Sequence, residues 1–166
     1  TEQPAYNAST GALTFVSANS ENLQTAGQIS LSGDFTLGIK LNPSVAAAGT
    51  FLADNTTTKE LFKINNATRI LVKIDLSAAT ALDLDSGTFG DDFLVITRVS
   101  NVLTLWKNGV AQTGTTPTVA GTSLIDVIGL RRIDLNGFDG TIKEIQIYSS
   151  SSSDLTANIN DRLSTL

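Results

Sequence analysis

Hydrophobic and polar residues alternate with a period of two in one segment of this chain after another. In Phe35-Thr36-Leu37-Gly38-Ile39-Lys40-Leu41, the residues Phe35, Leu37, Ile39 and Leu41 fall on one face, and Thr36 and Lys40 on the other. That is the period of a half-buried strand, and Asn42-Pro43 ends it. Short strands are expected at residues 13–15, 50–52 and 60–64. A further one at 69–74 aligns Ile70, Val72 and Ile74. Phe93-Leu94-Val95-Ile96 is apolar on both faces, as a central strand would be. Ser100-Asn101 supplies a two-residue turn before the strand 102–107. Asn108-Gly109 supplies the positive φ angles of a type I′ turn before the strand 110–113. Residues 77–92 and 114–121 read as loops, the first with a short strand in it. The last two strands span 124–130 and 141–148. Roughly ten short strands separated by turn signals predict an all-β sandwich or barrel.

The period then changes. After the five-Ser run 149–153, read as a solvated connector, Leu155, Ile159, Leu163 and Leu166 form one stripe of a short helix capped by Ser153 or Asp154. Residues 1–11 are polar and read as an N-terminal arm. Residues 12–166 read as one domain, long enough to bury a real core.

Composition narrows the chemistry. Charged residues are 16% and hydrophobic ones 41%, so the chain is globular rather than disordered. The net charge of −5 argues against a phosphate-backbone partner, and no nucleic acid is expected. There is no Cys, hence no disulfide, and no His, which removes the commonest general base and metal ligand together. No apolar run approaches the ~18 residues of a membrane span, and no signal peptide is expected at the start.

The segment Phe138-Asp139-Gly140-Thr141-Ile142, running on to Tyr148, follows the Asn108-Gly109 hairpin. In this order they resemble the closing half of laminin G-like and pentraxin-like domains, two-sheet jelly rolls of the concanavalin A type. The likeness extends to Leu13-Thr14-Phe15 with Asn22-Leu23, and to Asp34-Phe35-Thr36 through Asn42-Pro43. It also takes in the ribbon Val95-Ile96-Thr97-Arg98 to Leu103-Thr104-Leu105-Trp106-Lys107, and the helix from Leu155-Thr156 to Leu163. It covers almost the whole chain. It implies an antiparallel jelly-roll sandwich with a short C-terminal helix, and glycan contact as the binding activity. The chain departs from the family at Asp91-Asp92-Phe93, where a Trp-His-His-like stretch is usual. No calcium ligand of the family carries over.

The same sandwich carries glucan-cleaving enzymes that resemble one another by a Glu-x-Asp-x-x-Glu strand motif, with carboxylates about 5 Å apart for the retaining reaction. The four Glu here, Glu2, Glu21, Glu60 and Glu144, do not form it, and no enzymatic activity is expected. Asp83, Asp85 and Asp91 are the candidate cation ligands, oxygen-rich but without the bidentate ligand of an EF-hand. Calcium is the one cofactor the sequence admits. Candidate ligand-binding residues are Arg131 and Arg132, an adjacent pair suited to an acidic glycan, together with Asn136 and Trp106. Trp106 is the single Trp. It stands opposite the face of Leu103 and Leu105, where its ring either packs in the core or on the sheet face or stacks on a sugar's apolar C–H face. The expected function is a non-enzymatic surface module with a lectin-like fold, at a virion exterior as a capsid decoration or tail protein, contacting glycans. The alternatives are a purely structural assembly protein, including a homo-oligomer, and a secreted bacterial adhesion domain.

Overall fold

The computed structural model describes residues 2–55, 61–75, 78–130 and 136–166. Among them are two antiparallel sheets that pack face to face. The seven-stranded sheet has the order β1 (Ala5–Asn7), β2 (Ala12–Phe15), β13 (Gly140–Tyr148), β4 (Phe35–Pro43), β9 (Asp92–Val99), β10 (Val102–Lys107) and β11 (Val110–Gln112). The six-stranded sheet has the order β3 (Leu23–Leu31), β12 (Ser123–Ile128), β5 (Gly49–Ala53), β6 (Leu61–Asn66), β7 (Arg69–Lys73) and β8 (Thr80–Asp83). Neighbours such as β13 and β4, or β3 and β12, are far apart in sequence, so the connections cross between sheets. The helix α1 (Ser153–Ser164) closes the chain. It is too short to cross a membrane, and no helix among the described residues does so.

The inward faces meet in one core. Phe35, Leu37, Ile39 and Leu41 from β4, Leu94 and Ile96 from β9, and Leu103 and Leu105 from β10 point into it. They face Phe51 and Leu52, Phe62 and Ile64, and Ile70 and Val72 of the other sheet. The rings of Phe35 and Phe62 meet edge to face across it, 6.2 Å between centroids, an arrangement favoured by the aromatic quadrupole.

The period of two placed the inward residues of β4 correctly, but its other face is buried too. The stripe Leu155, Ile159, Leu163 and Leu166 lays α1 over the outer face of the seven-stranded sheet, against Val95, Phe93 and Trp106. Thr36 donates to the carbonyl of Ser150 at 3.0 Å. Gly38 lies directly beneath Ile159 and Leu163.

The Phe138-Asp139-Gly140 segment is a seam between the sheets. Phe138 is fully buried against Phe15, 6.1 Å between centroids. The Asp139 carboxylate accepts from the Ser17 N–H at 2.9 Å and the Ser17 hydroxyl at 2.6 Å. Gly140 has φ of 144°, and a Cβ there would meet the Pro43 Cα at 2.8 Å. Only glycine fits both the angle and the space.

Both predicted hairpin turns have two left-handed residues: Ser100 and Asn101 at φ 49° and 69°, Asn108 and Gly109 at 50° and 80°. Within the segment read as an arm, Ala5–Asn7 pairs with Ala12–Thr14 as an outer strand. β3 is a nine-residue strand that the alternation does not announce beyond Asn22-Leu23. It lies at the outside of its sheet and is largely exposed.

Candidate functional site

The connector after β13 does more than link it to the helix. Ser152, at φ −152° and ψ 164°, is the N-cap of α1, and its hydroxyl accepts from the Leu155 N–H at 3.1 Å. The cap therefore falls one residue before Ser153, because Ser152 has the extended backbone that lets its oxygen reach back to the third helical N–H. Thr156 donates to the Ser152 carbonyl at 2.9 Å and tightens the first turn. Arg162 reaches Glu144 on β13 at 2.5 Å and ties the flank of α1 to the sheet.

Docked this way, α1 covers β4 and part of β9 and leaves a cleft over β9 and β10, about 620 Å³ in volume. Its floor is the outward face of the hairpin. Thr97 stands opposite Thr104, and Trp106 is paired with Val95, which α1 buries. Its wall is the flank of α1 with Thr156, Ala157, Asn160 and Asp161, and its end is Ser151–Ser153. An apolar ring thus lies among hydroxyl and amide groups. Trp106 stands opposite the Leu103 and Leu105 face, as expected, half-buried beside the helix.

Four side-chain polar atoms among the described residues are buried without a hydrogen-bond partner, and two of them, Trp106 Nε1 and Asn160 Oδ1, belong to residues lining this cleft. Asn160 uses its amide nitrogen on the Thr156 carbonyl at 3.0 Å, so the oxygen alone is left over. An unmet buried donor or acceptor costs about 1–3 kcal/mol. Two residues that line the cleft thus carry one such donor and one such acceptor, both buried beneath its surface.

The residues singled out from sequence have other neighbours. Asp83 forms a two-pronged pair with Arg69, at 2.6 and 3.0 Å. That hydrogen bond, more than the charge itself, holds its carboxyl below the usual range. Asp85 accepts from the backbone N–H of Thr113 and of Gly114, and these bonds lower its pKa in turn. Asp91 lies 2.7 Å from Lys40. No cluster of three carboxylates able to hold a metal ion occurs among the described residues. Asn136 is exposed, with φ of 54°, and its carbonyl accepts from the Thr50 N–H at 2.8 Å. Arg131 and Arg132 lie outside the described residues. A second, smaller groove of about 270 Å³ opens near the other end of α1, between Asn7, Lys40, Asn42 and Lys143.

The cleft escaped sequence reading because residues 97–109 and 151–161 meet only after the helix docks. One signal was present. Thr97, Thr104 and Trp106 share the outward parity of a hairpin whose register the Ser100-Asn101 turn fixes.

No protein-family model matches this chain, and no curated protein does. Solved structures do. A native heptameric SAP-like pentraxin from Limulus polyphemus superposes with a TM-score of 0.64 at 9% identity, covering 96% of this chain and 78% of the pentraxin. Domain 4 of AbnA, an extracellular arabinanase from Geobacillus stearothermophilus, was solved in complex with arabinotriose. It superposes with a TM-score of 0.58 at 13% identity, covering 97% of this chain and 80% of that one. At such identities the likeness concerns the fold. It is the two-sheet, antiparallel jelly-roll sandwich with a short C-terminal helix that the resemblance implied, where the strand pattern by itself predicted a sandwich or barrel.

Proposed function

We propose that this domain is a non-enzymatic module that binds glycans in the cleft between α1 and the β9–β10 hairpin. The observation that carries this reading is Trp106, the only Trp, set in the cleft floor among Thr97, Thr104, Ser152 and Asn160. A sugar presents an apolar C–H face and a hydroxyl rim. A ring surrounded by hydroxyl and amide groups matches both halves of that surface. The arabinotriose bound to the similar arabinanase domain supports a sugar as ligand for this kind of sandwich.

The carboxylates support a binding role over hydrolysis. Glu144 is engaged by Arg162, and Glu21 accepts from the Val16 N–H at 2.7 Å and the Asn19 amide. The setting we favour is a virion exterior, as a capsid decoration or tail protein. The support is compositional: a short, Thr-rich domain without Cys or His.

The test is a glycan array with the whole chain, followed by a reducing-sugar assay on each hit. Binding without sugar release is the expected result. Loss of binding in an Arg131→Ala, Arg132→Ala double variant, or on chelation with EDTA, would move the site to the loops around those residues or around Asp83 and Asp85.

A second reading is structural. The outermost strands of the seven-stranded sheet, β1 and β11, display Tyr6 at 67% and Val110 at 64% exposure. Such residues suit contact with a neighbouring subunit or a capsid. If no array member binds, and replacing Tyr6 and Val110 abolishes attachment to a particle, assembly is the function.

A further inference from the structure

We infer that the sugar taken by the α1 cleft is uncharged, and that its hydroxyl groups hydrogen-bond Trp106 Nε1 and Asn160 Oδ1. This rests on the glycan-binding reading above and extends it to particular atoms and to the charge of the ligand. An indole N–H can only donate, and an amide oxygen can only accept. A carboxylate or sulfate would serve Trp106 alone, and an ammonium Asn160 alone. Hydroxyl groups serve both, and a sugar carries several on one rigid ring.

The charges around the cleft point the same way. Asp161 is the single ionisable residue among those lining it. Arg162, next in sequence, is drawn to Glu144 on the other flank of the helix. A uronate, sialate or sulfated residue would therefore meet a like charge with no cation among the described lining residues to balance it, which selects against it. This is the opposite preference from the one a site at Arg131 and Arg132 would have.

Both atoms are closed to bulk water. A ligand reaches them only as α1 or a covering side chain gives way, so the surroundings of Trp106 must change on binding. Because Trp106 is the only Trp, intrinsic fluorescence reports on this one place.

The experiment titrates the whole chain with neutral trisaccharides (arabinotriose, cellotriose, laminaritriose, maltotriose) and with acidic ones (trigalacturonate, 3′-sialyllactose). Binding is read by calorimetry and by Trp emission. At least one neutral sugar should bind and shift the emission, with acidic sugars weaker. Trp106→Phe keeps a ring and removes the donor; Asn160→Ala removes the acceptor. Each should weaken the neutral ligand about tenfold, as one unmade buried hydrogen bond does. Asp161→Asn should narrow the gap between neutral and acidic sugars. Thermal midpoints of all three variants separate lost contacts from lost folding.

If a sugar binds while emission and both contact variants stay unchanged, the glycan reading survives and this inference falls. If acidic sugars bind more tightly, the charge argument falls. If no sugar of either kind binds by calorimetry or on the array, the glycan reading and the inference fall together.

Discussion

Gly38 and Ile159 touch because Gly38 has no side chain. A Cβ at Gly38 would collide with Ile159 Cγ2 and come within 3.1 Å of Leu163 Cδ1. Glycine in a strand interior weakens the strand by itself, so its presence marks a close approach. Here the approach is that of α1. Gly38→Val should push the helix off β4 and cost about 1–3 kcal/mol, the usual penalty of overpacking. The urea denaturation midpoint measures the loss, and Trp106 emission should move to the red as its cover lifts. An unchanged midpoint and spectrum would mean that α1 docks without needing that gap.

Arg98 is fully buried at the end of β9. Its guanidinium donates to the carbonyls of Gly33, Gly121 at 2.9 Å and Leu31 at 3.0 Å, and sits 4.9 Å from the Phe35 ring centroid. Burial lowers its pKa from the ordinary value. A lysine ammonium cannot span three carbonyls with a planar fork. Arg98→Lys should destabilise by about 2–4 kcal/mol, since buried carbonyls lose their donors. Chemical denaturation checks this. A loss within ordinary surface scatter would show that these carbonyls find other partners.

Gly109 occupies the second left-handed position of the β10–β11 turn, and beyond its own chain neighbours no atom lies within 4 Å of where a Cβ would stand. The cost of Gly109→Val is therefore conformational and not steric crowding by neighbours. It should exceed about 1 kcal/mol, because a β-branched residue resists positive φ. Gly109→Asn should cost much less, and the pair of denaturation curves isolates the backbone effect.

Acid should weaken the fold by a definite route. Glu144, Asp83 and Asp85 have lowered pKa values, owing first to the hydrogen bonds from Arg162, Arg69 and the Thr113 backbone respectively. A carboxyl with a lowered folded pKa adds stability above its unfolded pKa and loses it as pH falls through the folded one. The thermal midpoint should thus be nearly level above about pH 5 and decline from about pH 4 downward. Glu144→Gln with Asp83→Asn and Asp85→Asn should flatten the acid limb. An equally steep limb in the triple variant would assign it to other groups.

The sequence was most legible where inward apolar residues alternate with polar ones or where a turn demands special angles. β4 meets the first condition, although α1 buries its Thr36 face, and the β9–β10–β11 ribbon meets the second, its registers following from Ser100-Asn101 and Asn108-Gly109. β1 and β3 were not legible beyond Asn22-Leu23, because strands with little buried surface need no apolar alternation: Ala5–Asn7 is exposed throughout. Arg98 was placed on the ribbon but its burial was not foreseen. It continues the inward parity of Leu94 and Ile96, and a charge at such a position is read as solvent-facing until its partners, all backbone carbonyls, are known. The Asp candidates were legible as carboxylates but not as partners of Arg69, Thr113 and Lys40, because residue spacing does not reveal which neighbour arrives from another strand.

The two sheets end differently, and this bears on how the protein behaves when concentrated. The seven-stranded sheet ends in β1 and β11, each three residues long, which offer an incoming chain almost no backbone to pair with. The six-stranded sheet ends on one side in β3, whose nine residues Leu-Gln-Thr-Ala-Gly-Gln-Ile-Ser-Leu hold no charge and no proline. Long, uncharged borders act as templates for strand addition between molecules, and proteins commonly guard them with lysine, proline or an irregular register such as the one in the β3–β12 pairing. β3 is therefore where self-association would nucleate, and a single lysine at Ala26 is the least intrusive guard.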